Sequence, residues 1–488
     1  MRGQVVAAAV TAAAATLTAL VPAGAAPADA AIRGTRAAPG AQLWVARYTG
    51  AASRRDFAGS MAVSPDGSKV FVTGGSDGGP TTGWDYATAA YSAATGGQLW
   101  VRRYNGPGGG VRARDRVDGA GSVAVSPDGT KVFVTGASIG RTSGFDYATV
   151  AYSAATGKQL WVRRYNGPGN GPDVASSVAV GPGGNRLFVT GDSYGGTTSD
   201  DYATVAYSAA TGRRLWVRRY NGHANGLDDA STMEVSPGGT RLFVTGISAD
   251  AGGASVADDY ATVAYSAATG KQLWVSRYNG SPTRRRVNGA SSVAVSPRGT
   301  RVFVTGYSFL PTTHNDYATV AYSAATGKRL WVRRYNGPAN RHDFATSVAV
   351  SPGGTRVFVT GQSAAGTTGI DYATVAYSAA GRQLWVSRYN GPANASEASS
   401  VAVNPAGSTV YVTGFSEGPS LVDYYATVAY RAATGGQRWV SRFAGPSNGN
   451  SSACCLAVSP GGSRVFVTGY SYDGTTTGID YATVAYRG

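Results

Sequence analysis

One phrase, DYATVAYSAATGKQLWVRRYNGP (146–168), governs this chain. Near copies begin at Asp85, Asp201, Asp259, Asp316 and Asp371, a slipped copy lies around Asp423, and a truncated one starts at Asp480. Its tryptophan recurs at Trp44, Trp100, Trp161, Trp216, Trp274, Trp331, Trp385 and Trp439, 54 to 61 residues apart. A period of this size marks a repeat architecture, in which each unit buries its apolar surface against the next. Each unit holds four short runs, for example SSVAV (176–180), RLFVTG (186–191), DYATVAYS (201–208) and RRLWVRRY (213–220). Valine, tyrosine, phenylalanine and threonine dominate these runs and turn formers separate them, which predicts short β-strands. Helical periodicity is absent after the first 31 residues.

The connections are of two kinds. SPDG, SPGG or SPRG joins the first run to the second, as at Ser64–Gly67 and Ser296–Gly299, with Pro setting φ and Gly relieving the reversal. AATGK or a close variant joins the third to the fourth. The other two connections differ from unit to unit. In an up-and-down sheet the first and third turns share one end, so one face of the molecule repeats and the opposite face varies. The first run is built from Ser, Ala and Val, suited to a crowded axis, and the fourth carries Trp, Arg and Tyr, suited to a wide rim.

These features predict an all-β fold: an eight-bladed β-propeller of four-stranded antiparallel blades. The chain opens on a fourth-type run, QLWVARY (42–48), and ends on a third-type run, DYATVAY (480–486). The N-terminal strand is therefore expected to complete and close the last blade, removing an open seam. Ahead of it, Arg2 supplies a positive start, the run from Val5 to Val21 is apolar and alanine-rich, and small-residue sites follow at Ala23-Gly24-Ala25 and Ala28-Asp29-Ala30. This predicts a secretory signal peptide and short spacer over 1–31, with 32–488 as a single propeller domain in a secreted, extracellular protein. No later stretch approaches the roughly 20 apolar residues of a membrane span.

AYSAATGKQLW (151–161) resembles the tryptophan-docking motif of pyrroloquinoline-quinone-type propellers, in which Ala, Asp, Gly and Trp recur at fixed offsets. The run SVAVSPDGTKVFVTG (122–136), followed by DYATVAY, is more similar still to bacterial β-propeller repeat proteins of the SBBP type. The resemblance covers nearly all of 42–486 and implies an exported propeller without implying a single activity. The motif's Asp is replaced by Ser92, Ser153, Ser208, Ser266, Ser323 and Ser378, and by Arg431 and Arg487 in the last two units, which weakens the quinoprotein kinship. That kinship would imply an oxidoreductase using pyrroloquinoline quinone with calcium. Quinoprotein alcohol dehydrogenases resemble this chain in blade number and carry a vicinal disulfide over the cofactor. Here the only cysteines, Cys454 and Cys455, are adjacent and replace a Ser-Ser pair such as Ser176-Ser177. Neighbours in an extended strand point to opposite faces, so a bridge requires a distorted backbone at the strand's entrance. With export and no third cysteine, the bridge is expected to form and to shape the channel mouth.

The repeated tryptophans read as packing between blades. The repeated arginines, Arg47, Arg103, Arg164, Arg219, Arg277, Arg334, Arg388 and Arg442, fold back toward the Asp opening the third strand, as Arg164 toward Asp146, and read as cross-strand ion pairs. Function is then expected on the variable loops. An acid or amide recurs two positions before an Ala at the start of each inner strand: Asp56, Asp118, Asp173, Asp228, Asn288 and Asp343, with Ser396 and Ser451 breaking the series. These residues either cap local turns or line a polar funnel able to hold calcium or sugar hydroxyls. Arginine clusters precede several blades: Arg54 and Arg55; Arg112, Arg114 and Arg116; Arg284, Arg285 and Arg286; and Arg341. Their fork suits carboxylates, sulfates and phosphates, and solvated loops on a basic chain are the plainer reading. Trp84, outside the phrase, is a further candidate for stacking on a sugar. His223, His314 and His342 stand in separate loops without zinc-type spacing.

The formal net charge of +16 points to acidic partners. The expectation is a monomeric binding or scaffold protein, more a binder than an enzyme, recognising an anionic cell-wall polymer, a polysaccharide or a surface protein through its variable face. Nucleic acid is the less favoured partner, and a quinone-dependent oxidoreductase is the alternative.

Overall fold

The structure, a computed structural model, describes residues 37–50, 54–108, 117–223, 225–249, 257–280, 286–366, 369–420, 422–446, 449–472, 474 and 478–488. The expected signal segment and Arg112, Arg114, Arg116, Arg284 and Arg285 lie outside them. The described residues form thirty-two strands and a single turn of 3₁₀-helix, Gly79–Thr81. The first blade is β2 (Asp56–Val63), β3 (Lys69–Asp77), β4 (Trp84–Ser92) and β5 (Gln98–Tyr104), paired in chain order as an antiparallel sheet. The same meander repeats around the ring. Two neighbouring blades are joined into one eight-stranded sheet by a short parallel pairing of Ala257 with Arg286 and Asp258 with Val287. Successive inner strands pack on one another about the axis, and the fourth strands carry exposed positions such as Leu99 and Leu160.

The core lies between blades. Phe71, Tyr86, Ala90 and Trp100 of the first blade pack on Val132, Val134, Ala148, Val150 and Tyr152 of the second. The phrase contains both a Trp and a Gly because one docks on the other. Trp100 Nε1 donates to the Ala154 carbonyl of the next blade at 3.1 Å. The indole lies so close to Gly157 that a β-carbon there would meet Trp100 Cδ2 at 2.7 Å. Gly157 also adopts φ +68, which favours glycine. The first Tyr of the phrase links blades in the same direction: Tyr86 Oη donates to Ala148 O at 3.3 Å, and Tyr481 Oη donates to Ala87 O at 3.3 Å.

The chain's first strand, β1 (Gln42–Tyr48), pairs antiparallel with its last, β32 (Ile479–Arg487), in the sheet order β1-β32-β31-β30, with β31 spanning Arg464–Tyr472 and β30 Ser451–Val458. Trp439 of the seventh blade finds its docking glycine in Gly40, ahead of β1, at 2.7 Å from a β-carbon placed there. Trp44 within β1 donates to Ala93 O of the first blade at 3.2 Å. The N-terminal segment thus supplies the missing outer strand of blade eight and the turn against which blade seven docks.

Every inner strand carries a β-bulge near its entrance, between Ala58 and Ser60 in blade one and between Ala453 and Cys455 in blade eight. The bulge inserts an unpaired residue and breaks strict alternation. Cys454 is that extra residue, and it is joined by a disulfide to Cys455 across a Cα–Cα distance of 3.8 Å. The distortion that adjacent cysteines require is therefore one that every blade already makes.

Candidate functional site

Beneath the variable face runs a polar girdle. In blade two, Asp118 Oδ2 accepts from the Gly106 N–H at 2.8 Å and Oδ1 from the Ile139 N–H at 3.0 Å. Asp56, Asp173, Asp228 and Asp343 likewise accept from Gly50, Gly167, Gly222 and Gly337 of the loop entering each blade, at 2.6 to 2.7 Å. All five are buried, and desolvation pushes each carboxyl above its ordinary range against the opposing hydrogen bonds. Asn288 is also buried, accepting from Ser308 Oγ at 2.5 Å and donating to Asp258 O at 2.9 Å. Ser396 and Ser451 reach Ser416 and Ser471 at 3.0 Å. In this structure the series ties down the loops at blade entrances.

Arginines of the fourth strands complete the girdle. Arg164 donates to Asp146 Oδ2 at 2.9 Å, to Ser138 Oγ at 2.6 Å and to Tyr104 Oη of the preceding blade at 3.2 Å. The Arg–Asp pair recurs as Arg103–Asp85, Arg219–Asp201, Arg277–Asp259, Arg334–Asp316 and Arg388–Asp371 at 2.7 to 3.5 Å. Blade seven departs, since Tyr424 stands opposite Ser416 where other blades place the Asp, and Arg442 donates to Tyr389 Oη at 2.9 Å.

One residue past each girdle acid, the chain diverges. That position reads Phe57, Gly119, Val174, Asp229, Gly289, Phe344, Glu397 and Ser452, and faces Gly75, Ala137, Asp192, Ile247, Tyr307, Gln362, Phe415 and Tyr470 on the second strand. At four seams neighbouring blades meet through these side chains. Between blades eight and one, Tyr470 meets Phe57 edge-on at 5.4 Å, and Phe57 stacks on Trp84 at 5.9 Å, so Trp84 is partly occupied by protein. Between blades three and four the seam is acidic: burial and then Asp229 push Asp192 up to about 8, and Asp200 and Asp229 are also raised by burial. Between blades six and seven, the Gln362 amide faces the Glu397 carboxylate, and with its nitrogen turned toward it, the orientation that satisfies both groups, donates to both oxygens at 2.6 and 2.9 Å. Between blades five and six, Tyr307 meets Phe344 at 5.2 Å, and His314 and His342 come within 5.0 Å of each other. Two of the three histidines that sequence reading left in separate loops, His314 and His342, are thus neighbours.

The exposed arginines Arg54, Arg55 and Arg341 stand on this rim, and Arg286 opens an inner strand, Arg286–Val295. A cavity of about 410 Å³ opens beside Arg341 and His342. Among the described residues no three His, Cys, Asp or Glu side chains are grouped to hold a metal ion. Four of the inner acids, Asp56, Asp173, Asp228 and Asp343, give one oxygen to a loop N–H and keep the other buried without a hydrogen-bond partner, but among the described residues they are not grouped into a ligand set for calcium under a quinone. Sequence reading missed this ring because the recurring acid draws attention from the residue after it. The available signal was a variable position between a fixed acid and a fixed Ala.

Fold and rim together define an eight-bladed propeller built from tandem repeats. The matching family model, described as outer membrane protein assembly factor BamB, covers residues 85–257, 149–365 and 239–452, and the chain belongs to this PQQ/BamB-type β-propeller repeat family. No curated protein sequence matches. Among solved structures, the chain is similar to Chaetomium thermophilum Sqt1 bound to the N-terminus of ribosomal protein L10, at 13% identity and TM-score 0.59 over 92% of this chain and 100% of that one. The Dos1 propeller aligns at 10% identity and TM-score 0.52 over 91% and 94% of the two chains. Quinohemoprotein alcohol dehydrogenase from Comamonas testosteroni aligns at 14% identity and TM-score 0.51 over 91% and 76%. At these identities the likeness is one of fold. No helix among the described residues is long and apolar enough to cross a membrane.

Proposed function

We propose that this chain is an exported binding or scaffold propeller of the SBBP type that recognises a cell-surface polymer, glycan or protein through its variable face. The observation that carries the reading is the contrast between two layers. Girdle, docking tryptophans and turns repeat from blade to blade, while the ring just above them varies, aromatic at the eight/one and five/six seams, acidic at three/four and amide–carboxylate at six/seven. Sqt1, a propeller similar in fold, is bound to the N-terminus of ribosomal protein L10, which supports a protein segment as one class of ligand. The net charge of +16 favours an acidic ligand.

The test is a glycan array and a cell-wall pulldown with the exported protein. Changing Arg284, Arg285 and Arg286 to Ser should weaken retention on an anionic polymer and flatten its salt dependence. Unaltered retention at low salt would place the site elsewhere on the rim. The bridged Cys454–Cys455 pair on the innermost strand is what the quinoprotein alternative has in its favour. Dye-linked alcohol or sugar oxidation after reconstitution with pyrroloquinoline quinone and calcium, lost in Cys454→Ser, would replace the binding reading with an enzymatic one.

A further inference from the structure

In six blades the residue two before the third-strand Asp has left-handed backbone: Gly83, Gly144, Ser199, His314, Gly369 and Gly478, with φ between 61° and 85°. Glycine fills four of these six positions because it takes this conformation without a β-carbon penalty. His314 takes it, at φ 61°, with an exposed imidazole. Backbone held this way by a larger residue concentrates at ligand sites. The His314 ring lies 5.0 Å from His342 of the next blade, and His342 stacks on Phe344 at 5.8 Å and 10°. Beside them opens the cavity of about 410 Å³, lined by Arg341, His342, Phe344, Gln362, Gly369 and Ile370 among others. Its size falls in the range of small-molecule sites, about 300–1,000 Å³.

The lining has three parts. Phe344 and Ile370 give an apolar wall, Gln362 brings an amide anchored on Glu397, and Arg341 with His342 gives nitrogen donors, His342 being backed by the His314 ring at 5.0 Å. A metal ion on the histidine pair lacks a third described ligand and would sit beside the Arg341 cation. An anion is favoured by Arg341 and by the overall charge. We infer that this cleft binds a uronic-acid sugar. Its carboxylate lies on the Arg341 fork and the His342 N–H, its C–H edge lies along the apolar wall of Phe344 and Ile370, and its hydroxyls reach the Gln362 amide. The assignment rests on the reading of the variable face as a binding surface.

The test is calorimetric titration of the full chain with glucuronic acid, a glucuronic-acid oligosaccharide and glucose. Both acidic ligands should bind and glucose should not. Comparable affinity for the two assigns the free acid, and a preference for the oligosaccharide assigns a polymer unit. His314→Gly restores the residue that sister blades use, so thermal stability should hold or rise while affinity falls about tenfold. Arg341→Gln, an exposed change, should also weaken binding about tenfold without altering the melt. Wild-type affinity in both variants, or equal binding of glucose, would overturn the proposal. Undiminished retention of the double variant on an acidic polymer would sink the cleft and leave the variable-face reading intact. Failure of the wild type to bind either acidic sugar would sink the cleft, and the variable-face reading would fall with it only if the glycan array and the cell-wall pulldown were blank as well.

Discussion

Glu234 stands on an inner strand where the other blades place alanine, as at Ala62, Ala124 and Ala179. Burial pushes its carboxyl up to about 8, against a hydrogen bond from the Val295 N–H at 2.9 Å. The folded chain therefore holds a proton there that the unfolded chain releases near pH 4.5, and stability falls as pH rises from about 4.5 to about 8. Glu234→Gln, which keeps an acceptor for Val295, should raise Tm at pH 8 and leave it unchanged at pH 4. Melting curves at the two pH values check this. The surface turns act in the opposite direction. Hydrogen bonding by Ser126 and Thr130 holds Asp128 down at about 2, so its contribution is present above about 3.8 and is lost as pH falls toward 2. In the girdle, Arg164→Gln leaves the buried Asp146 carboxylate without its cation and should cost about 3 kcal/mol, read by chemical denaturation. An exposed change such as Arg54→Gln should stay within about 0.5 kcal/mol.

At the scale of strands and blades, closure is the feature most open to test. Deleting residues 32–48 removes β1, leaves β32 as an unpaired edge and strips Trp439 of Gly40. The truncated chain should aggregate or melt far below the full one, and an equally stable monomer on size-exclusion chromatography would contradict the closure. Strand order, blade number and this phase shift were legible because the Trp of the phrase, its turn glycine and the first Tyr each have a partner one blade away, so the packing rule is written into the period. The bulge was not legible. Alternation along an extended strand puts Cys454 and Cys455 on opposite faces, and only the paired register shows the extra residue at that point. Nor was the His314–His342 contact, because it depends on how adjacent blades seat their loops. The girdle acids were legible as a series, while their burial depends on the loop glycine that folds over each of them.

The whole molecule divides into a face that repeats and a face that does not, and the central claim is that binding belongs to the second. Charge by itself would attract an acidic polymer to either face, so the decisive measurement removes equal charge from each. Arg54, Arg55, Arg141 and Arg341 are exposed on the variable rim, and Lys158, Lys271, Arg298 and Lys328 are exposed on the repeated turns of the opposite end. Each set is changed to Ser, and the dissociation constant for an acidic polysaccharide is measured at one fixed ionic strength. The rim variant should bind at least about tenfold more weakly than the wild type, with the turn variant close to wild type. Equal losses in the two variants, or a larger loss from the turn variant, would contradict the account.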